Sequence, residues 1–117
     1  MQDTAVKEEC ERCVLDALKA GYRLIDTAQS YFNEEEVGSA IKKSGIPREE
    51  IFLTTKVWIE HYGYENARQS VLESMKKLQT DYLDLVLLHQ PFGDTDVSDK
   101  DKLFDDYSTN GGFAAFE

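Results

Sequence analysis

Three short apolar runs, YRLIDTA (22–28), IFLTTKVW (51–58) and LDLVLLHQP (83–91), each deliver one ionisable residue near their C-terminal end: Asp26, Lys56 and His89. These residues lie about 30 positions apart, and a segment of helical periodicity precedes every run. From Thr4 to Ala20, Val6, Cys10, Val14, Ala17 and Leu18 share one helix face, with Gly21 placed to end it. Asn33 stands three residues before Glu36 in a capping arrangement, and Val37, Ala40 and Ile41 carry an apolar stripe to Gly45. Pro47 opens a turn, after which the β-branched and aromatic run 51–58 predicts a second strand. Ala67, Val71, Met75 and Leu78 space a third helix over Tyr64–Thr80. The run from Leu83, stopped by Pro91, is nearly continuous in apolar residues, as expected of a parallel strand covered on both faces.

Helix and strand therefore alternate three times, which demands parallel strands joined by crossover helices. A period near 30 residues matches one βα unit of an eight-unit barrel of about 250 residues. An open doubly wound sheet has a similar period, so periodicity alone leaves both architectures open. From Phe92 the pattern breaks into aspartates, then Ser, Thr, Asn and Gly, with Leu103 and Phe104 as an isolated apolar pair. The expected organisation is one domain over residues 1–94 and a divergent, weakly ordered acidic tail over 95–117, not a fourth βα unit.

The 117 residues suit one small domain with a modest core. A net charge of −10 argues against nucleic acid or an anionic membrane as partner, because both reward clustered Lys and Arg, and it sits oddly with a phosphorylated cofactor. No apolar run approaches the roughly 20 residues that span a bilayer, and MQDTAVKEECER lacks a signal-peptide pattern, so a cytoplasmic location is expected. Cys10 and Cys13 form a C-x-x-C inside a helical pattern, with no strand before it and no second pair to complete a zinc site. Two reduced thiols are expected, and no metal.

The strand ends carry the chemistry. An Asp before Thr commonly caps or turns the backbone, and a single His at a strand end commonly satisfies local hydrogen bonds. A Lys inside LTTKVW is less ordinary, because burying an unpaired ammonium is costly. Collected at one sheet edge, where parallel α/β proteins build their sites, the three outweigh their separate structural explanations. Tyr31, in the loop AQSYFN, would be packing in isolation. Beside a lysine that pairs with an aspartate, its phenol becomes a proton donor, since a nearby cation favours the phenolate.

The blocks GYRLIDTAQSYFNEEEVGSAI, IFLTTKVW and YLDLVLLHQP, in this order and spacing, resemble those of aldo-keto reductases over about residues 3–94. The resemblance implies a partial (β/α)8 TIM barrel of about three βα units and an NADPH-dependent reduction of an aldehyde or ketone to an alcohol. It further implies that Tyr31 is the general acid, that Lys56 lowers its pKa, and that Asp26 pairs with Lys56 and lies beside the nicotinamide ribose. His89 would orient and polarise the substrate carbonyl, and Trp58 would line the substrate pocket.

Three features of the family do not appear: the hairpin and strand that precede this segment, the fourth helix, and the GVSNF-like block. The groups that hold the nicotinamide amide and the 2′-phosphate belong to those parts. Two expectations follow. The chain is a reductase, completed by another copy or a second half, or it is a catalytically silent fragment that self-associates through open sheet edges.

Overall fold

The computed structural model describes residues 4–90, and the tail expected over 95–117 lies outside the described residues. Helix α1 (Thr4–Ala20) leads into strand β1 (Leu24–Asp26), α2 (Glu34–Ser44), β2 (Phe52–Val57), α3 (Tyr64–Leu78) and β3 (Leu85–Leu88). Single 3-10 turns at Gln29–Tyr31, Arg48–Glu50 and Ile59–His61 occupy three of the connections. The strands form one parallel sheet in the order β1-β2-β3. Each is shorter than its apolar run, because pairing ends where the chain turns away from its neighbour's register. The β1 ladder holds only Leu24, Ile25 and Asp26 opposite Phe52, Leu53 and Thr54.

Side chains alternate between the two faces of a strand, and the register aligns that alternation across the sheet. Ile25 and Leu53 point to the helices, where Leu18, Val37, Ile41, Ile51 and Leu78 complete the main core. Val86 and Leu88 join Val57, Tyr62 and Ala67 in a second cluster. The opposite face carries Leu24, Phe52, Leu85 and Leu87, all exposed. The expectation of cover on both faces of the third strand is thus corrected, since the three helices pack on one side of the sheet only.

The helix ends follow their sequence signals with one exception. Gly45 closes α2 in the left-handed region (φ 72°), and Lys42 and Lys43 sit favourably in its last turn. Asn33 occupies the start of α2 without capping it through its side chain; its Oδ1 instead accepts from Thr27 Oγ1 at 2.6 Å. The Asn33 side chain is thus engaged with the buried Thr27 hydroxyl in place of the expected cap. Cys10 and Cys13 are free thiols; burial, reinforced by Glu36, pushes the Cys10 thiol pKa up.

At the N-terminal edge of the sheet, Arg48 gathers four acceptors: Thr80 Oγ1, the Ile51 and Tyr82 carbonyls, and Asp84 Oδ2 at 3.0 Å. Asp84 also accepts from the Leu53 N–H at 2.8 Å, and that backbone bond, aided by Arg48 against the opposing effect of desolvation, holds its carboxyl below the usual range. The start of β3 is thereby tied to β2.

Helices α2 and α3 approach so closely at Gly38 that a Cβ there would stand 2.7 Å from the backbone of Leu78. In helix propensity alone, Gly38→Ala would stabilise by about 1 kcal/mol. Overpacking against backbone, which cannot rotate aside, costs about 1–3 kcal/mol and decides the sign. Thermal unfolding of G38A should show a lowered Tm; an equal or higher Tm would contradict the close approach.

Candidate active site

The residues singled out by sequence converge at the C-terminal edge of the sheet. Asp26 ends β1 and Lys56 lies near the end of β2, both on the face away from the helices. His89 follows β3, held by its N–H to the Val57 carbonyl at 3.1 Å. Tyr31 reaches the same place from the turn after β1.

Lys56 is the centre of the cluster. Its ammonium donates to Asp26 Oδ1 at 2.6 Å, to the Thr27 carbonyl at 3.1 Å and to the Tyr31 phenol oxygen at 3.4 Å. A lysine has three N–H donors, and all three are used. The Lys56 side chain is only 13% exposed, whereas that of Asp26 is 59% exposed. Desolvation is the largest single influence on Lys56 and works against its charge. The bonds and attraction from Asp26 and Tyr31 together outweigh it, so the Lys56 pKa lies above the ordinary lysine value.

Because the Tyr31 oxygen accepts from Lys56, the phenol's own proton is directed elsewhere. Lys56 Nζ also lies 4.9 Å from the Tyr31 ring centroid. The His89 ring meets Tyr31 edge-on at 5.8 Å and Trp58 edge-on at 5.3 Å. Asp26, Tyr31, Lys56, Trp58 and His89 thus form one continuous cluster. Such a set can donate a proton, stabilise the anion left behind, and place a polar ring where an oxygen could bind.

Sequence reasoning missed three participants. The Thr27 carbonyl could not be seen, because backbone carries no residue signal. Ser30 Oγ lies 3.4 Å from His89 Nδ1, and Gln29 bonds the connection after β2. The signal available for both was their place in AQSYFN, where polar residues fill a loop directly after a strand end.

The sequence matches the model of the Aldo/keto reductase family over residues 2–114. The chain belongs to this family. The match runs past Asp94 into the stretch read above as a divergent tail. An aldo-keto reductase of Mycobacterium avium (strain 104) is 57% identical over 84 residues, which cover 72% of this chain and 29% of that protein. Methylglyoxal reductase DkgB of Escherichia coli O157:H7 is 52% identical over 85 residues, covering 73% of this chain and 32% of that one. The crystal structure of a Bombyx mori aldo-keto reductase in complex with NADP superposes with a TM-score of 0.74 at 39% identity, over 84% of this chain and 33% of that one. The chain spans about a third of the length of these relatives. Its three parallel strands and their helices are accordingly part of an α/β barrel, which settles the choice that periodicity left open in favour of the barrel. Among the described residues no helix is long and apolar enough to cross a membrane.

The ion pair carries a pH signature with a definite sign. A lysine whose folded pKa is raised contributes stability that is complete below its unfolded pKa of about 10.4 and is lost as pH rises through the folded value. Asp26→Asn removes the attraction but leaves the desolvation, so the Lys56 pKa should fall and the alkaline loss of stability should begin at lower pH. NMR titration of the Lys56 Cε signal checks this; an unmoved midpoint would rule out Asp26 as the group that holds the charge.

Proposed function

We propose that this cluster is the proton-donating half of a carbonyl reductase site, in which an aldehyde or ketone becomes an alcohol with Tyr31 as general acid and NADPH as reductant. The observation that carries the reading is the Lys56 ammonium shared between Asp26 and the Tyr31 phenol. NADPH, when bound, supplies the hydride. A carbonyl carbon that accepts hydride sends its π pair to oxygen, and Tyr31 gives that oxygen a proton. Lys56 stabilises the phenolate left behind until solvent returns the proton. Asp26 keeps the ammonium in place, His89 orients the carbonyl oxygen, and Trp58 forms a wall beside it.

The residues present fit one end of the cofactor. Asp26 uses one oxygen on Lys56 and keeps most of its carboxylate exposed, so it can accept a bond from a ribose hydroxyl. A solved relative holds NADP, and another relative is named a methylglyoxal reductase, which supports this cofactor and a small aldehyde as the first substrate to try. General acid catalysis contributes about 10²–10⁴-fold. Tyr31→Phe should therefore lower kcat/KM for methylglyoxal by about that factor, followed by NADPH consumption, while leaving NADPH binding within a few fold. A variant as active as the parent would remove Tyr31 from the reaction.

A second reading is favoured by the exposed apolar face of Leu24, Phe52, Leu85 and Leu87. Apolar side chains gathered on one sheet face mark an interaction surface. In this reading a second copy covers the face and the chain is catalytically silent. Sedimentation at tens of micromolar should then show a dimer or larger species with no saturable NADPH binding in a fluorescence titration. A monodisperse monomer that binds NADPH would exclude it.

A further inference from the structure

Gln29, Ser30 and Tyr31 make up a single 3-10 turn, and their three side chains reach three different elements. Tyr31 meets Lys56 on β2, and Ser30 lies against His89 after β3. Gln29 faces the connection after β2 and helix α3. Its Oε1 accepts from the Trp58 backbone N–H at 2.9 Å and lies 2.9 Å from His61 Nδ1, while its Nε2 donates to Ser74 Oγ at 3.2 Å. A carboxamide oxygen can only accept, so this pattern assigns a proton to His61 Nδ1. Both ends of the Gln29 amide are thereby fixed, one of them to the buried Ser74.

We propose that Gln29 is a positioning residue for this site, locking the turn that carries Tyr31 to the segment that carries Trp58. The catalytic consequence rests on the reading of Tyr31 as proton donor; the geometric consequence does not. The turn needs such a lock. It ends at Phe32, a non-glycine residue in the left-handed region (φ 56°) that is 73% exposed. Backbone of that kind is costly and persists only where its surroundings over-determine it. Thr27–Asn33 ties the loop on one side, and Gln29 supplies three bonds on the other. Gln29 accepts from the backbone of Trp58 itself, so one amide ties the turn that carries the phenol to the backbone that carries the indole, the two rings that flank His89.

Gln29→Ala and Gln29→Met remove all three bonds, the second keeping the side-chain volume should the first fail to fold. Gln29→Glu keeps the acceptor for Trp58 and His61, and Ser74 can donate its hydroxyl to the new oxygen. Two measurements are compared across the set: hydrogen exchange at the Trp58 amide with the NMR line width of the Tyr31 ring, and kcat with KM for methylglyoxal reduction. Expected in Q29A or Q29M are a deprotected Trp58 amide, a broadened Tyr31 ring and a kcat lower by about 10–100-fold with KM changed less, since a displacement near 1 Å can cost about 10² in rate. Gln29→Glu should restore all of these. Should the parent chain consume no NADPH, the reductase reading fails and the exchange and line-width results alone decide the lock. A Trp58 amide as protected in both variants as in the parent, or an active chain whose kcat neither variant lowers, would overturn the proposal.

Discussion

The register of β2 is the constraint on which the rest depends. Six residues, Phe52–Val57, pair with β1 on one side and β3 on the other, and their alternation assigns every side chain of the sheet to a face. Leu53 and Val57 go to the helices and build the core, while Lys56 goes to the open face. A slip of one residue would exchange the faces, placing an ammonium in the apolar core and leucine at the site. Both penalties act at once, so the hydrophobic drive that closes the core also selects the arrangement of the ionic cluster.

Once β2 is set, the ionic cluster follows from the need to satisfy Lys56. An ammonium that has lost most of its water requires acceptors for each of its protons, and the end of β1 supplies them. Asp26 provides the charge, the Thr27 carbonyl provides fixed backbone geometry, and Tyr31 takes the third proton. The phenol is drawn to the ammonium by the same demand that would stabilise its conjugate base. Structural satisfaction and the proposed chemical function therefore share one interaction, and the mostly exposed Asp26 keeps the pair open to solvent.

The order of elements was legible in the sequence because each rests on local pattern: apolar spacing for α1, α2 and α3, and β-branched or apolar runs for the strands. The members of the cluster were legible for a different reason. Asp26, Lys56 and His89 each fall near a strand end, and parallel pairing of those strands brings such ends together whatever the intervening details. What the sequence could not show was competition between local bonds. Asn33 reads as a cap, yet the nearby Thr27 hydroxyl claims its side chain, and nothing in the spacing reveals that neighbour. Burial on both faces of β3 failed similarly, because apolar composition states what a strand tolerates and not what covers it. The place of Gln29 in a polar loop after a strand end was legible, but its partners were not, because they are a backbone amide and residues 32 and 45 positions away.

The acidic balance of the chain is at odds with attraction of a phosphorylated cofactor, and the Lys56 cluster does not offset it. Lys56 is neutralised by Asp26 at 2.6 Å, so the pair presents little net charge at long range. Interactions between exposed charges are largely screened beyond about 8–10 Å in physiological salt. What remains is a short-range field that Tyr31 feels and a distant phosphate does not. Along α1 and α2, Lys7 and Lys43 are likewise occupied by Glu36 and Glu11. The described cluster therefore uses its cation on one carboxylate, one carbonyl and one phenol, and attraction of a polyanion is a separate task that calls for cations outside it.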